Sequence, residues 1–137
     1  MAYEAVKIEG PYEVHDFTVS TSATISAATL CVLTDPRTAA ASPATAATDA
    51  APLAWAGIAA TEHTAGKGKT ELGLYTKGVF KLTASSPVAA GHLVRISGAN
   101  LIADAGTVVP ILSGAVVGKA LQDIAGNASG EVFVGAV

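Results

Sequence analysis

The sequence predicts an all-β domain, a small β-barrel or β-sandwich built on an internal duplication. Three observations predict it. In residues 71–82, Leu72, Leu74, Thr76, Gly78, Phe80 and Leu82 form one alternating, mostly apolar set, and Glu71, Lys77 and Lys81 fall in the other. A period of two puts one set on a core face and the other in water, which describes a long strand. The second observation is recurrence. Gly57-Ile58-Ala59, a turn through Gly66 and Gly68, and a strand opened by Glu71 have a later counterpart in Gly118-Lys119-Ala120, a turn with Gly126 and Gly130, and Glu131-Val132-Phe133-Val134. Residues 29–33 likewise resemble residues 93–97. The third is turn chemistry: two short β-rich runs, 93–97 and 100–103, flank Gly98-Ala99 and read as a hairpin.

These matches divide the chain into halves at about 17–82 and 83–137, each running strand, loop, strand, Gly-turn, strand. Two units suit one closed or layered domain; a solenoid needs at least about three. Ahead of them, residues 1–16 carry Glu4, Glu9, Glu13 and Asp16 against one Lys7, with Gly10-Pro11 in the middle. They read as an extended N-terminal arm with some strand character. Residues 16–20 alternate as a strand, 20–29 turn, and 29–33 form the next strand. Residues 34–52 are an Ala/Thr/Ser tract in which Pro36, Pro43 and Pro52 oppose a regular strand. They read as a long surface loop that orders against a neighbour. Residues 53–59 and 71–82 are strands, with Trp55 assigned to the core. Residues 108–112, broken by Pro110, lead into a strand at 116–121, and the last strand runs over 131–137.

Composition narrows the function. A chain of 137 residues is one domain by size. Half its residues are apolar, but only 5% are aromatic and 14% charged, so the core is built from Val, Leu, Ile and Ala. The net charge of −3 offers no basic excess for phosphates, which argues against direct nucleic-acid binding. No apolar run approaches the roughly 20 residues of a membrane helix, and the N-terminus is too polar for a signal peptide. Cys31 is the single cysteine. It sits between Leu30 and Val32 and reads as a buried small apolar residue in a protein made in a reducing cytoplasm.

No chemistry-bearing constellation emerges. Gly68-Lys69-Thr70 resembles the end of a phosphate loop, but that motif needs a glycine where His63 stands, and a strand follows rather than a helix. His15-Asp16 and Glu62-His63 are neighbours on extended chain and point to opposite faces. Neither they nor His92 have metal-ligand spacing. The expectation is a non-enzymatic protein with no catalytic or metal residues and no cofactor.

The order Gly57-Ile58-Ala59, Lys77-Gly78-Val79-Phe80, Pro87-Val88-Ala89-Ala90-Gly91, Val117-Gly118-Lys119-Ala120 and Gly130-Glu131-Val132-Phe133-Val134 resembles the small capsid decoration (cement) proteins of tailed bacteriophages. The resemblance covers about residues 17–137 and its motifs are short. It implies a virion protein made in the host bacterial cytoplasm and bound to the outer surface of the capsid. Its partner would be the major capsid protein, its oligomer a homo-trimer, and its role the stiffening of the expanded head. The expected contacts are Tyr3, Glu4, Val6, Ile8 and Glu9 in the arm and Pro36, Arg37, Pro43 and Pro52 in the loop. Two other classes fit the composition: a ligand- or carbohydrate-binding β module, and a subunit of another phage assembly such as a tail or fibre.

Overall fold

A computed structural model of the chain describes residues 3–45 and 47–135. Its elements are β1 (Val6–Thr18), β2 (Leu30–Asp35), β3 (Thr38–Ala41), β4 (Trp55–Ala59), β5 (Glu71–Ala84), β6 (Leu93–Gly98), β7 (Leu101–Asp104), α1 (Val109–Leu112), β8 (Val116–Ala120) and β9 (Ser129–Val134). The fold is all-β, a mixed nine-stranded sheet in the order β1-β3-β2-β4-β5-β7-β6-β8-β9. The central strand β5 follows its alternation: Leu72, Leu74, Gly78, Phe80 and Leu82 are buried, and Glu71 and Lys81 are exposed.

Two further pairings, β1 with β5 and β5 with β9, fold this sheet back on itself. They close two rings of five strands. Ring one is β1-β3-β2-β4-β5, ring two is β5-β7-β6-β8-β9, and β5 belongs to both. The duplication holds at the level of register. Thr18 pairs with Thr38 in parallel, and Thr83 with Leu101 in parallel. Leu30 pairs with Ile58, and Leu93 with Lys119. Leu33 faces Ala39, and Ile96 faces Ile102. The hairpin turns each hold a residue in the left-handed region, Arg37 (φ 52°) and Asn100 (φ 56°). Outside the strands, the bridge Ile25–His63 is matched by Val88–Ile124.

The repeated Gly-x-Ala has a steric cause. Gly57 and Gly118 occupy equivalent positions, each beneath a carbonyl of the next strand. A Cβ on Gly57 would lie 2.7 Å from the Tyr75 carbonyl oxygen, and one on Gly118 would fall on that of Phe133. The register also refines the sequence matching. Leu74 and Val132 are equivalent, as the partners of Ala59 and Ala120, so Glu71 corresponds to Ser129 and not to Glu131. Residues 29–33 match 92–96, one position earlier than the sequence pattern suggested.

Each ring has its own lining. In ring one, Cys31, Ala39, Ala56, Leu72 and Leu74 form one buried cluster with Val19 and Ile25, and Phe17 packs on it from β1. In ring two Val94, Ile102, Val117 and Val132 stand where ring one has Cys31, Ala39, Ala56 and Leu74, Leu82 stands in the place of Phe17, and Gly130 in that of Leu72. The second cluster continues to Leu30, Val32, Ile58 and Phe80, with Trp55 half-buried against it. Cys31 is fully buried, and burial pushes its thiol up to about 12. Burying Phe80 alone contributes about 2 kcal/mol.

Four expectations are corrected. Residues 6–16 are not an arm apart from the domain; they form most of β1, which pairs with β5 from Val6–Lys81 to Thr18–Glu71. The Gly10-Pro11 break is absorbed as a bulge, because three residues of β1 lie between Glu9 and Glu13 while only Gly78 lies between their partners. The loop at 34–52 contains β3, whose small side chains carry no alternation signal. The boundary at 82/83 falls inside β5, because that strand ends one ring and begins the other. Residues 109–112 are the short helix α1, with Pro110 in its first turn, where a missing N–H costs nothing. Residues 1–2 of the expected arm, residue 46 of the loop and residues 136–137 of the expected last strand lie outside the described residues.

Candidate partner-binding surfaces

The first surface is the outer edge of β1. Among the described residues, β1 has two ladder partners, β5 along its length and β3 at Thr18. Among the described residues, no strand lies beside its other edge over residues 6–16. Unpaired strand edges are templates for a further strand. Val6, Ile8 and Val14 are exposed large apolar side chains on this strand, and Glu9 and Glu13 are exposed carboxylates.

The strand is pinned from behind. At the bulge, Tyr12 lies over Gly78, where any Cβ would fall on its ring; Gly78 also has φ +140°, which disfavours other residues. Tyr12, Tyr75 and Phe80 pack mutually with tilted or edge-to-face rings, centroids 5.4–5.5 Å apart. Aromatic contacts of this kind add about 1 kcal/mol each beyond burial. Lys7 reaches over the cluster, its Nζ 5.0 Å from both tyrosine centroids and donating to the Tyr75 hydroxyl at 2.9 Å. That hydroxyl holds the Lys7 ammonium above its ordinary value. Lys77 and His15 approach Glu13 only at 3.8 and 3.7 Å, exposed pairs that contribute little.

The second surface is the strap between β3 and β4, described over residues 42–45 and 47–54. It crosses to ring two and covers the β6–β7 hairpin. Asp49 accepts from Arg95 Nη1 at 2.8 Å and from the Thr107 hydroxyl at 3.1 Å. Ala47 N donates to the Ser97 carbonyl, and Asn100 N donates to the Ser42 hydroxyl. The expected loop is therefore largely satisfied by its own chain, with Pro43 and Pro52 exposed on its outer side. Arg95 Nε and Nη2 are buried beneath it without an acceptor among the described residues.

The expected contact residues do not form one patch. Tyr3, Val6, Ile8 and Glu9 are exposed at the N-terminal end of β1, and Glu4 is half-buried there. Pro36 and Arg37 lie in the β2–β3 turn at the other end of β1. There Arg37 Nε donates to the Asp16 carbonyl and its carbonyl accepts from Thr18 N. Pro43 and Pro52 belong to the strap. A third surface, which sequence reasoning missed, is at α1: Val108, Ile111 and Leu112 are exposed, Leu112 by 83%. Its signal was a run of large apolar residues beginning around a helix-initiating proline, with no charge from residue 105 to residue 118.

The histidines stay apart. His63 is buried, its Nδ1 2.8 Å from the Ala23 carbonyl oxygen and its Nε2 2.9 Å from that of Lys69. It ties three segments at one end of ring one. His92 Nδ1 lies 2.6 Å from Asp104 Oδ2 at an exposed position. A 270 Å³ hollow beside His63 is lined by Asp16, Glu62, Lys69 and Glu71. Among the described residues no three His, Cys, Asp or Glu side chains are placed to hold a metal, and no helix is long and apolar enough to cross a membrane.

No family model matches the chain. No curated protein matches it either. Among solved structures it is similar to the N-terminal base of the head fibre protein gp8.5 of bacteriophage phi29, at 11% identity over 90% of this chain and 93% of that one, with a TM-score of 0.49.

Proposed function

We propose that the chain is a structural virion protein of a tailed bacteriophage, that it binds the outer surface of the capsid, and that it stabilises the expanded head. The observation that carries this reading is the open edge of β1, with Val6, Ile8 and Val14 turned outward on a strand anchored through Tyr12. The motifs that resemble those of decoration proteins lie in β4, β5, β8 and β9 and in residues 87–91 before β6, and so belong to the scaffold that presents this edge. Backbone pairing along about ten residues supplies affinity without a deep pocket, and many copies on one shell supply avidity. The partner is the major capsid protein, met through an extended segment that completes the β1 ladder. Basic residues on that segment would complement Glu9 and Glu13.

The test is co-sedimentation with emptied heads of a candidate host phage. The wild-type chain is expected to bind at a fixed ratio per capsomer. Val6→Asp with Ile8→Asp changes exposed side chains only, so the variant is expected to stay folded and to lose binding by about tenfold or more. Equal binding by both proteins would remove the edge from the account. No binding by either would favour a ligand-binding module, and a glycan screen would follow.

A further inference from the structure

Arg95 is buried at a position where the fold accepts an aliphatic residue. Its ring-one equivalent is Val32, 5% exposed, and Val32 pairs with Trp55 as Arg95 pairs with Val116. The ladder therefore forms without a guanidinium there. The Arg95 side chain is 9% exposed, and its ion pair is one-sided: Nη1 donates to Asp49 Oδ1 at 2.8 Å. Nε and Nη2 are buried and have no acceptor among the described residues. Those two nitrogens share one edge of the guanidinium, the edge that grips both oxygens of a carboxylate or phosphate at once. Buried donors left unpaired are costly, so an acceptor brought to them is held the more firmly.

The strap lies over this edge. None of its described residues between 43 and 52 is buried, so it seals the site without an apolar core of its own. Its middle is fastened by Asp49, to Arg95 and to the Thr107 hydroxyl, and by Ala47 N on the Ser97 carbonyl. Hydrogen bonds of this kind are exchanged for water when a segment lifts, so such a cover opens at low cost. We propose that Arg95 is an oxyanion-binding residue under a movable cover. A carboxylate or phosphate oxyanion reaches Nε and Nη2 as the strap lifts and binds them side-on. Asp49, 44% exposed, is the internal competitor, and it gives up Nη1 and turns to solvent. The site does not use the β1 edge, so it stands or falls separately from capsid binding.

Thermal unfolding of the full chain through a titration of sodium phosphate, with ionic strength held constant by sodium chloride, tests it. Asp49→Asn keeps a carbonyl oxygen for Arg95 and Thr107 but removes the competing charge. It is expected to bind phosphate at least about tenfold more tightly than the wild-type chain, and phosphate is expected to speed hydrogen exchange at Ala47. Arg95→Lys added to Asp49→Asn keeps the positive charge without the fork, and is expected to lose at least about tenfold of that affinity. Arg95→Val gives ring two the residue of ring one, and is expected to fold and show no response. A parallel titration with sodium acetate separates the two oxyanions: a response to acetate alone assigns the site to carboxylates, and a response to phosphate alone assigns it to phosphates. No response of the Asp49→Asn chain to either anion overturns the proposal. A response that survives Arg95→Val is adventitious binding and also overturns it, and equal affinity with Arg95→Lys overturns the side-on geometry. Unchanged exchange at Ala47 with phosphate bound overturns the movable cover.

Discussion

Ring one and ring two share a ladder but not a lining. At equivalent positions ring one has Cys31, Ala39 and Ala56 where ring two has Val94, Ile102 and Val117. Ring one also holds His63 where ring two holds Ile124. What is common to both is backbone: the parallel pairing next to the hairpin, the left-handed turn residue and the glycine under a carbonyl. The difference teaches that closure is set by backbone fit, while the lining decides how each ring is held. Ring two relies on aliphatic packing. Ring one, with smaller side chains, adds a hydrogen-bonded histidine, while the aromatic contacts of Tyr12, Tyr75 and Phe80 belong to the cluster that ring two shares.

The largest effect should come from the shared element. Gly118→Ala puts a methyl group onto the Phe133 carbonyl and is expected to cost about 3 kcal/mol or more in urea unfolding. Gly57→Ala, with 2.7 Å to the Tyr75 carbonyl oxygen, should cost less. A neutral result at Gly118 would break the claim that backbone approach sets closure. Next come the linings. Ile102→Ala gives ring two the residue that ring one has at Ala39, and is expected to cost about 3 kcal/mol through the cavity it leaves. The reverse change, Ala39→Ile, should also destabilise, by about 2 kcal/mol, because the small lining is already filled.

His63→Ile makes ring one resemble ring two at this position and removes the imidazole N–H that the Ala23 or Lys69 carbonyl accepts. The expected cost is about 2 kcal/mol, read by thermal unfolding. A stabilised variant would show that the histidine holds nothing. At neutral pH the smallest effect is at Cys31. Its thiol, raised from 9.0 to about 12 by burial, stays protonated in the folded chain while the unfolded chain begins to ionise near 9. Above that value the unfolded state binds fewer protons, so stability falls as pH rises from about 9 towards 12. Thiol reagents at neutral pH should label Cys31 only at the rate of unfolding, and fast labelling of the native chain would contradict its burial.

The elements legible in the sequence are those with strong period or steric demand. Strand β5 announced itself by alternation over twelve residues, and Gly57 and Gly118 by a spacing that close backbone approach enforces. The all-β class followed from both. Strand β3 was hidden because Thr38, Ala39, Ala40 and Ala41 differ too little in polarity to alternate, and Pro36 and Pro43 bracket them. The length of β1 was hidden because Gly10-Pro11 signals a break, and only the ladder shows that a bulge in β1 opposite Gly78 absorbs it. The strap looked like an unattached loop because Asp49 and Arg95 are distant in sequence. The surface at Ile111 and Leu112 was hidden because a run of apolar residues reads as core until a structure shows which of them face out; Pro110 is the one that faces in.

Backbone hydrogen exchange of the chain with and without emptied phage heads tests the central claim most directly. If the open edge of β1 accepts a strand of the capsid protein, amides within residues 6–16 should exchange markedly more slowly on heads, while β6 and β8 on ring two stay unchanged. If heads protect other segments and leave β1 as it is in the free chain, capsid binding through that edge is contradicted.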